Sequence, residues 1–133
     1  MALKPLPSPI APKAHAIMDY ANVVVFLIGA ASFWRRNKRA AVGALVAGGA
    51  ALFVNLLTDY PGGLKKAIGF DVHRNIDFGL ATMSAAMPEF LSFNNEQERR
   101  FFVAEGMLIS ALTELTAFPE LITRLENRHR FAA

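Results

Sequence analysis

Two His-x-x-x-Asp segments, His15/Asp19 and His73/Asp77, stand in a chain of 133 residues that contains no cysteine. Residues four apart share one face of an α-helix, so each Asp lies one turn from its His. Imidazole and carboxylate together suit a divalent metal such as zinc, iron or manganese. The same two histidines could instead hold a haem between them, with each Asp orienting or compensating the site. A third reading is a hydrogen-bonded polar belt, in which each His bonds a carboxylate and each Asp gains from a nearby helix N-terminus. The lack of cysteine excludes disulfides, thiolate zinc sites, iron–sulfur clusters and Cys nucleophiles. Ser32, Ser84 and Ser110 have no His at a spacing that helices would bring together, so no nucleophile is evident.

The elements that must carry these residues are apolar. Hydrophobic residues make up 53% of the chain and charged residues 19%, and the mean hydropathy is +0.30. That is too apolar for an ordinary soluble domain and too short for more than one compact unit. Lys and Arg number 14 against 11 Asp and Glu, a net charge of +3. These cations gather at the ends of apolar segments, as they do in membrane proteins, and form no stripe for nucleic acid. Residues 40–58 carry no charge over a length close to the roughly 20 residues that span a hydrocarbon core. Residues 14–34 form an equally long segment that carries no charged side chain from Tyr20 onward, for which a cleavable leader ending near Gly29-Ala30-Ala31 is the competing reading. Residues 73–93 and 101–118 complete four expected spans, although Asp77, Pro88, Glu89, Glu105 and Glu114 interrupt them. Carboxylates at such depth should turn into the bundle or lie near an interface. Pro5, Pro7, Pro9 and Pro12 predict an extended arm over the first fifteen residues. Residues 120–131 predict a short amphipathic helix at the interface, with Leu121, Ile122 and Leu125 on one face.

Shifted by 58 residues, the sequence pairs His15 with His73, Asp19 with Asp77, Tyr20 with Phe78, Gly48 with Gly106, Thr58 with Thr116 and Pro61 with Pro119, without a gap. The expected fold is therefore all-α: a four-transmembrane-helix bundle of two duplicated hairpins, residues 14–61 and 72–119. Two hairpins with an even number of crossings keep one orientation, so their pseudo-twofold axis runs along the membrane normal. Asp19-Tyr20-Ala21-Asn22-Val23-Val24, followed by Ser32-Phe33-Trp34, resembles the repeat of the SPW-repeat family of small bacterial integral membrane proteins. Phe33 replaces the proline of that motif, and the second copy carries Phe90-Leu91-Ser92 instead. The resemblance implies two membrane helices per repeat and a place in the bacterial inner membrane, and brings no activity with it.

In an up-down-up-down bundle, His15, Asp59, His73 and Glu114 fall near one interface, with Asp19 and Asp77 one turn deeper. These six residues are the expected metal ligands. Glu105 stands nine residues before Glu114, on the opposite face of its helix, and is expected to carry a proton or to bond Thr82 or Ser84. Asn55 is expected to bond across helices, and the small residues Gly43, Ala44, Ala47, Gly48 and Ala51 to allow close helix approach or a homo-oligomer face. The basic run at 35–39, with Arg99 and Arg100, places that end in the cytoplasm and the His/Asp end outside. The expected partners are membrane lipids and a further copy of the chain. The resulting function is a small membrane protein binding a metal or small ligand, against two alternatives: a structural or assembly subunit of a larger membrane complex, and a metal-dependent membrane enzyme.

Overall fold

The computed structural model of the chain describes residues 10–117 and 119–132, with side chains in the last helix described from residue 123 onward. It is all-helical, in the order α1 (Pro12–Phe33), α2 (Lys38–Leu57), α3 (Phe70–Phe90), α4 (Glu96–Glu114) and α5 (Pro119–Ala132). Pro5, Pro7, Pro9 and Phe118 lie outside the described residues. Of the arm expected over the first fifteen residues, residues 1–9 lie outside the described residues, and residues 12–15 are already helical because α1 starts at Pro12. Proline suits the first helical turn, where its missing N–H has no partner to lose. Helix α3 likewise runs through Pro88 and stops at Phe90. Helix α4 starts five residues before the expected span, with Glu96 and Glu98 in its first turn, where acidic side chains favour the helix dipole.

Of these helices, α1 and α2 are long and apolar enough to cross a membrane. Their outward faces show Ile17, Val24, Ile28, Val42, Val46 and Phe53. In α3 and α4 the buried carboxylates are Asp77, Glu105 and, in the first turn of α4, Glu98. Asp77 and Glu105 stand in the middle of the two helices or within a turn or two of it, whereas Glu89 and Glu114 sit near the ends and are half exposed.

The four long helices fall into two hairpins whose starting residues differ by one constant shift: Pro12 and Phe70 open the first helices, Lys38 and Glu96 the second. Helix α1 packs along α2 and α3 along α4, and the hairpins meet through α2 against α3 and α1 against α4. Contacts between the halves are reciprocal. Ile10 pairs with Thr116 and Ile68 with Thr58 as isolated bridges, so the segment before each hairpin docks on the exit of the other. At the far end, Asn37 caps α2 by accepting from the Ala40 N–H at 3.1 Å. Its Nδ2 also reaches the Oδ1 of Asn95, the residue that precedes α4, at 3.3 Å.

Small residues set the distance within each hairpin. A Cβ placed on Gly106 would stand 2.6 Å from the Ala81 carbonyl oxygen, and one on Gly48 would stand 2.9 Å from the Phe26 Cβ. The small-residue face of α2, expected to be open to a second copy, is taken up inside the fold, with Ala40, Ala41 and Ala44 fully buried. Between the hairpins the core is aromatic. Phe101 stands edge-on to Phe26 and Phe33, with ring centroids 5.9 and 5.3 Å away. Helix α5 is tied to α3 by Arg124, 3.0 Å from Asp71. The Gly106 contact is with backbone and cannot give. Gly106→Ala is therefore expected to destabilise the fold by about 1–3 kcal/mol, whereas Gly49→Ala, with open space around it, should be neutral or stabilising by up to about 1 kcal/mol. Denaturation midpoints in detergent measure both.

Candidate metal centre

His15 and His73 each occupy the first turn of a hairpin. Their backbone N–H groups donate to Ala11 and Gly69, the residues just ahead of α1 and α3. The helical period then carries Asp19 and Asp77 one turn further on the same faces, and the packing of α1 and α3 within one bundle turns both faces inward. The two imidazoles meet edge to face, with ring centroids 5.5 Å apart.

Four atoms form a closed ring. His15 Nε2 lies 3.1 Å from Asp77 Oδ2 and 3.3 Å from Asp19 Oδ2, while His73 Nε2 lies 3.0 Å from Asp19 Oδ2 and 3.1 Å from Asp77 Oδ2. All four ligand atoms fall within 4.8 Å of one another, an arrangement that could hold a metal ion. His15 and His73 are fully buried, and Asp19, the most open of the four, is 9% exposed. Each carboxylate oxygen thus touches both histidines, the one on its own helix and the one on the other hairpin.

The opposite edge of each imidazole is held by a threonine from the other hairpin. His15 Nδ1 is 2.6 Å from Thr116 Oγ1, and His73 Nδ1 is 2.7 Å from Thr58 Oγ1. Both hydroxyls donate their one hydrogen to a carbonyl a turn earlier, Thr116 to Leu112 and Thr58 to Val54, each at 2.6 Å. A hydroxyl has a single O–H, so each threonine can only accept from its histidine. Both rings therefore carry their hydrogen on Nδ1 and turn Nε2 toward the carboxylates. This is the arrangement by which a neighbouring oxygen fixes a ligating histidine.

The carboxylates are held in turn, and here the two halves differ. Tyr60 donates its hydroxyl to Asp19 Oδ2 at 3.2 Å, and Thr113 donates to Asp77 Oδ2 at the same distance. Burial and the Asp19 charge hold the Tyr60 phenol above its ordinary pKa, so it remains a donor. Phe70 and Tyr60 wall the site, with Phe70 edge-on to His15 at 5.6 Å and Tyr60 tilted over His73 at 5.2 Å.

Two of the six expected ligands lie elsewhere. Asp59 is half exposed and pairs with Lys66 at 3.5 Å, because the chain turns extended at Thr58 and the next side chain leaves the bundle. Glu114 is half exposed and faces Arg74 at 3.9 Å. It is the neighbouring Thr113 that points inward. Thr58, Thr116, Thr113 and Tyr60 were not expected at the site, although the recurrence of Leu-Thr-x-aromatic-Pro marked the first two as equivalent positions. Glu105 and Glu114 lie on opposite faces as their spacing predicts, but it is Glu105 that is buried, and its Oε2 has no partner. Ser84 donates to the Phe102 carbonyl and Thr82 to that of Phe78. Asn55 Nδ2 and Asn22 Oδ1 are likewise buried without a partner.

A haem between the histidines does not fit these contacts. The plane a macrocycle would need between the two Nε2 atoms holds the Asp19 and Asp77 oxygens, each within hydrogen-bond distance of both rings. Compared with known proteins, the chain matches no family model, no curated sequence and no solved structure. If the threonines orient the ligand edges, Thr58→Val together with Thr116→Val should weaken metal binding about 10–100-fold with the four ligands intact. Isothermal titration with Zn²⁺ would measure this, and an unchanged affinity would remove the threonines from the site.

Proposed function

We propose that this chain is an integral membrane protein of four spans whose two hairpins are pinned by one divalent metal ion on His15, Asp19, His73 and Asp77. The observation that carries the metal reading is the ring of two Nε2 and two Oδ2 atoms with edges of 3.0–3.3 Å. A tetrahedral ion with bonds of about 2.0–2.2 Å separates its ligand atoms by about 3.3–3.6 Å. The four edges fall within about 0.6 Å of that range, and the remaining N···N and O···O pairs, within 4.8 Å, would adjust to the same separation on loading. Two neutral imidazoles and two carboxylates balance a divalent charge, so the buried centre is neutral when loaded. Two protons on the Nε2 atoms give the same balance without metal. Metal and protons therefore compete for one place, and loading releases protons.

Two features favour a structural ion over a catalytic one. A catalytic zinc keeps a position open for water or substrate. Here four protein ligands close the ring, aromatic rings cover it, and each ligand is held by a further hydroxyl. Because each hairpin contributes one His and one Asp, an ion here ties α1 to α3 and, through the threonines, α2 and α4 to the same point.

The membrane reading is supported by the lengths of α1 and α2 and by α3 and α4, whose mid-helix carboxylates are turned inward while their outer charges cluster at the ends. An origin by duplication is supported by the single register shift of both helix pairs and by the reciprocal contacts at both ends of the bundle. An SPW-repeat relationship and an inner-membrane location rest on the sequence resemblance of residues 19–24 and 32–34 alone. A second copy, if one associates, would use an outer face, since the small residues of α2 are occupied.

Protein purified in detergent should bind about one Zn²⁺ per chain, with free metal at 100 times Kd raising stability by about 2.7 kcal/mol. His15→Ala with His73→Ala should abolish both, and Lys65→Ala with Lys66→Ala neither. Affinity should fall on acidification, because protons take the ligand nitrogens. A folded chain that takes up no metal and gains no stability would leave only the hydrogen-bonded belt. Carbonate at high pH should leave the chain in the membrane fraction, and its release without detergent would remove the four-span reading.

A further inference from the structure

The two faces where the hairpins meet carry grooves that are equivalent under the 58-residue shift and differ in chemistry. One, of about 530 Å³, lies between α1 and α4 and is lined by Val25, Ile28, Gly29 and Phe101, with Ser32, Arg36 and Arg100 at its mouth. The other, of about 300 Å³, lies between α2 and α3, with Met83, Ala86, Met87 and Gly43 at the corresponding positions. Where the first has Ser32 and Arg100, the second has Phe90 and Val42. One frame therefore occurs twice on the molecule, once with a polar, cationic mouth and once apolar throughout.

We infer that the α1/α4 groove binds one anionic phospholipid, with an acyl chain against Val25, Ile28 and Phe101 and the phosphate on Arg36 and Arg100. The inference rests on the membrane reading above. The groove floor is apolar along the last turns of α1 and the first of α4, and its mouth lies at the end marked by the basic run 35–39, where headgroups would lie. Cationic pockets between membrane helices suit anionic headgroups. Arg36 directs its Nε to the buried Glu98 at 2.8 Å, which fixes the guanidinium at the groove and engages one of its five N–H donors. Arg100 is committed only to Glu96, an exposed pair one turn away on the same helix. Exposed pairs of this kind are worth little and exchange readily for a better anion. Ser32 donates back to the Ile28 carbonyl at 2.9 Å and leaves lone pairs, and no bulk, at the mouth. The Gly29 position is also required, because a Cβ there would stand 2.6 Å from the Phe101 ring that floors the groove.

Trp34, the one tryptophan of the chain, lies across α1 from this mouth, about 200° round from Ser32 and Arg36, so the reporter is moved to Gln97, which lines the groove: Trp34→Phe with Gln97→Trp gives the reference protein, otherwise unaltered. This protein is reconstituted in vesicles of phosphatidylcholine containing either brominated phosphatidylglycerol or brominated phosphatidylcholine, and quenching of its tryptophan emission is compared. The expected result is quenching by both lipids, with brominated phosphatidylglycerol favoured about fivefold for each cation that contributes. Ser32→Phe with Arg100→Val rebuilds the mouth of the apolar groove, a solution the fold already uses, and should abolish the preference. Arg100→Gln, a milder change, should reduce it, and Lys65→Gln with Lys66→Gln should leave it intact. Equal quenching by the two lipids in the reference protein would overturn the proposal, as would a preference that survives Ser32→Phe with Arg100→Val, since the basic run alone would then account for it. Loss of the preference on adding inorganic phosphate would also overturn it and indicate a site for a free anion. Quenching by neither lipid would mean that the membrane reading itself fails, an outcome distinct from equal quenching.

Discussion

Two ionised carboxylates cannot be placed together inside a helical bundle without positive charge to balance them. Removing an ion from water costs several kcal/mol even after the protein relaxes, and Asp19 and Asp77 each lie beside the same two imidazoles. The rest of the molecule is arranged around this requirement. Each carboxylate needs both histidines, and each histidine comes from a different hairpin, so the cluster exists only when the hairpins are docked. The threonines add a second crossing, because each imidazole is held by the exit of the opposite hairpin. Charge balance in the core and docking of the halves are thus one condition, whether it is met by two protons or by a divalent ion.

Bringing α1 and α3 close enough for that condition is a matter of packing. Within a hairpin, Gly48 and Gly106 let the paired helices approach to near backbone contact. Between hairpins, the alanines of α2 leave room for bulkier neighbours, among them Phe102 and Met87. In the membrane setting proposed above, helices gain little from hydrophobic burial, since lipid is as apolar as the core, and so depend on such close packing and on polar contacts. The bundle has one polar clasp at each end. The His/Asp ring closes one, and the paired cap residues Asn37 and Asn95, with Arg36 on the buried Glu98, close the other.

The helical period was enough to foretell that His15, Asp19, His73 and Asp77 would share faces, because spacing of four fixes azimuth within one helix. The constant register of 58 residues was legible for the same reason. Depth, by contrast, does not give azimuth. Asp59 and Glu114 fall at the right level of the bundle but point outward, one because the chain has left the helix and the other because it stands half a turn round from Glu105. That second displacement was implicit in the spacing of the two glutamates. The threonines were visible as equivalent positions, but a hydroxyl that bonds across 101 residues of sequence leaves no local signal. The charged start of α4 hid its first turn, since Glu96–Arg100 reads as a loop until Asn95 is recognised as the residue that opens the helix.

The places where the two halves differ are more informative than those where they agree. Equivalent residues were kept at the ring itself: His with His, Asp with Asp, Thr with Thr. One step out, Tyr60 has Phe118 as its counterpart, so Asp19 takes a phenol, whereas Asp77 takes the hydroxyl of Thr113, whose counterpart Asn55 leaves its Nδ2 buried without a partner. Ala47 has Glu105 as its counterpart, and the carboxylate stands unsatisfied in the second hairpin alone. Symmetric duplication would supply these positions in matched pairs, and matched pairs of buried carboxylates or unpaired amides would cost twice. Under the proposed duplication, divergence confines each polar group to one half, while the ring, whose charge balance needs both halves, cannot diverge without losing its balance. The bundle is therefore symmetric at the clasp and asymmetric around it, and what distinguishes one half from the other has collected in the layer just outside the four ligand atoms and along the inter-hairpin grooves.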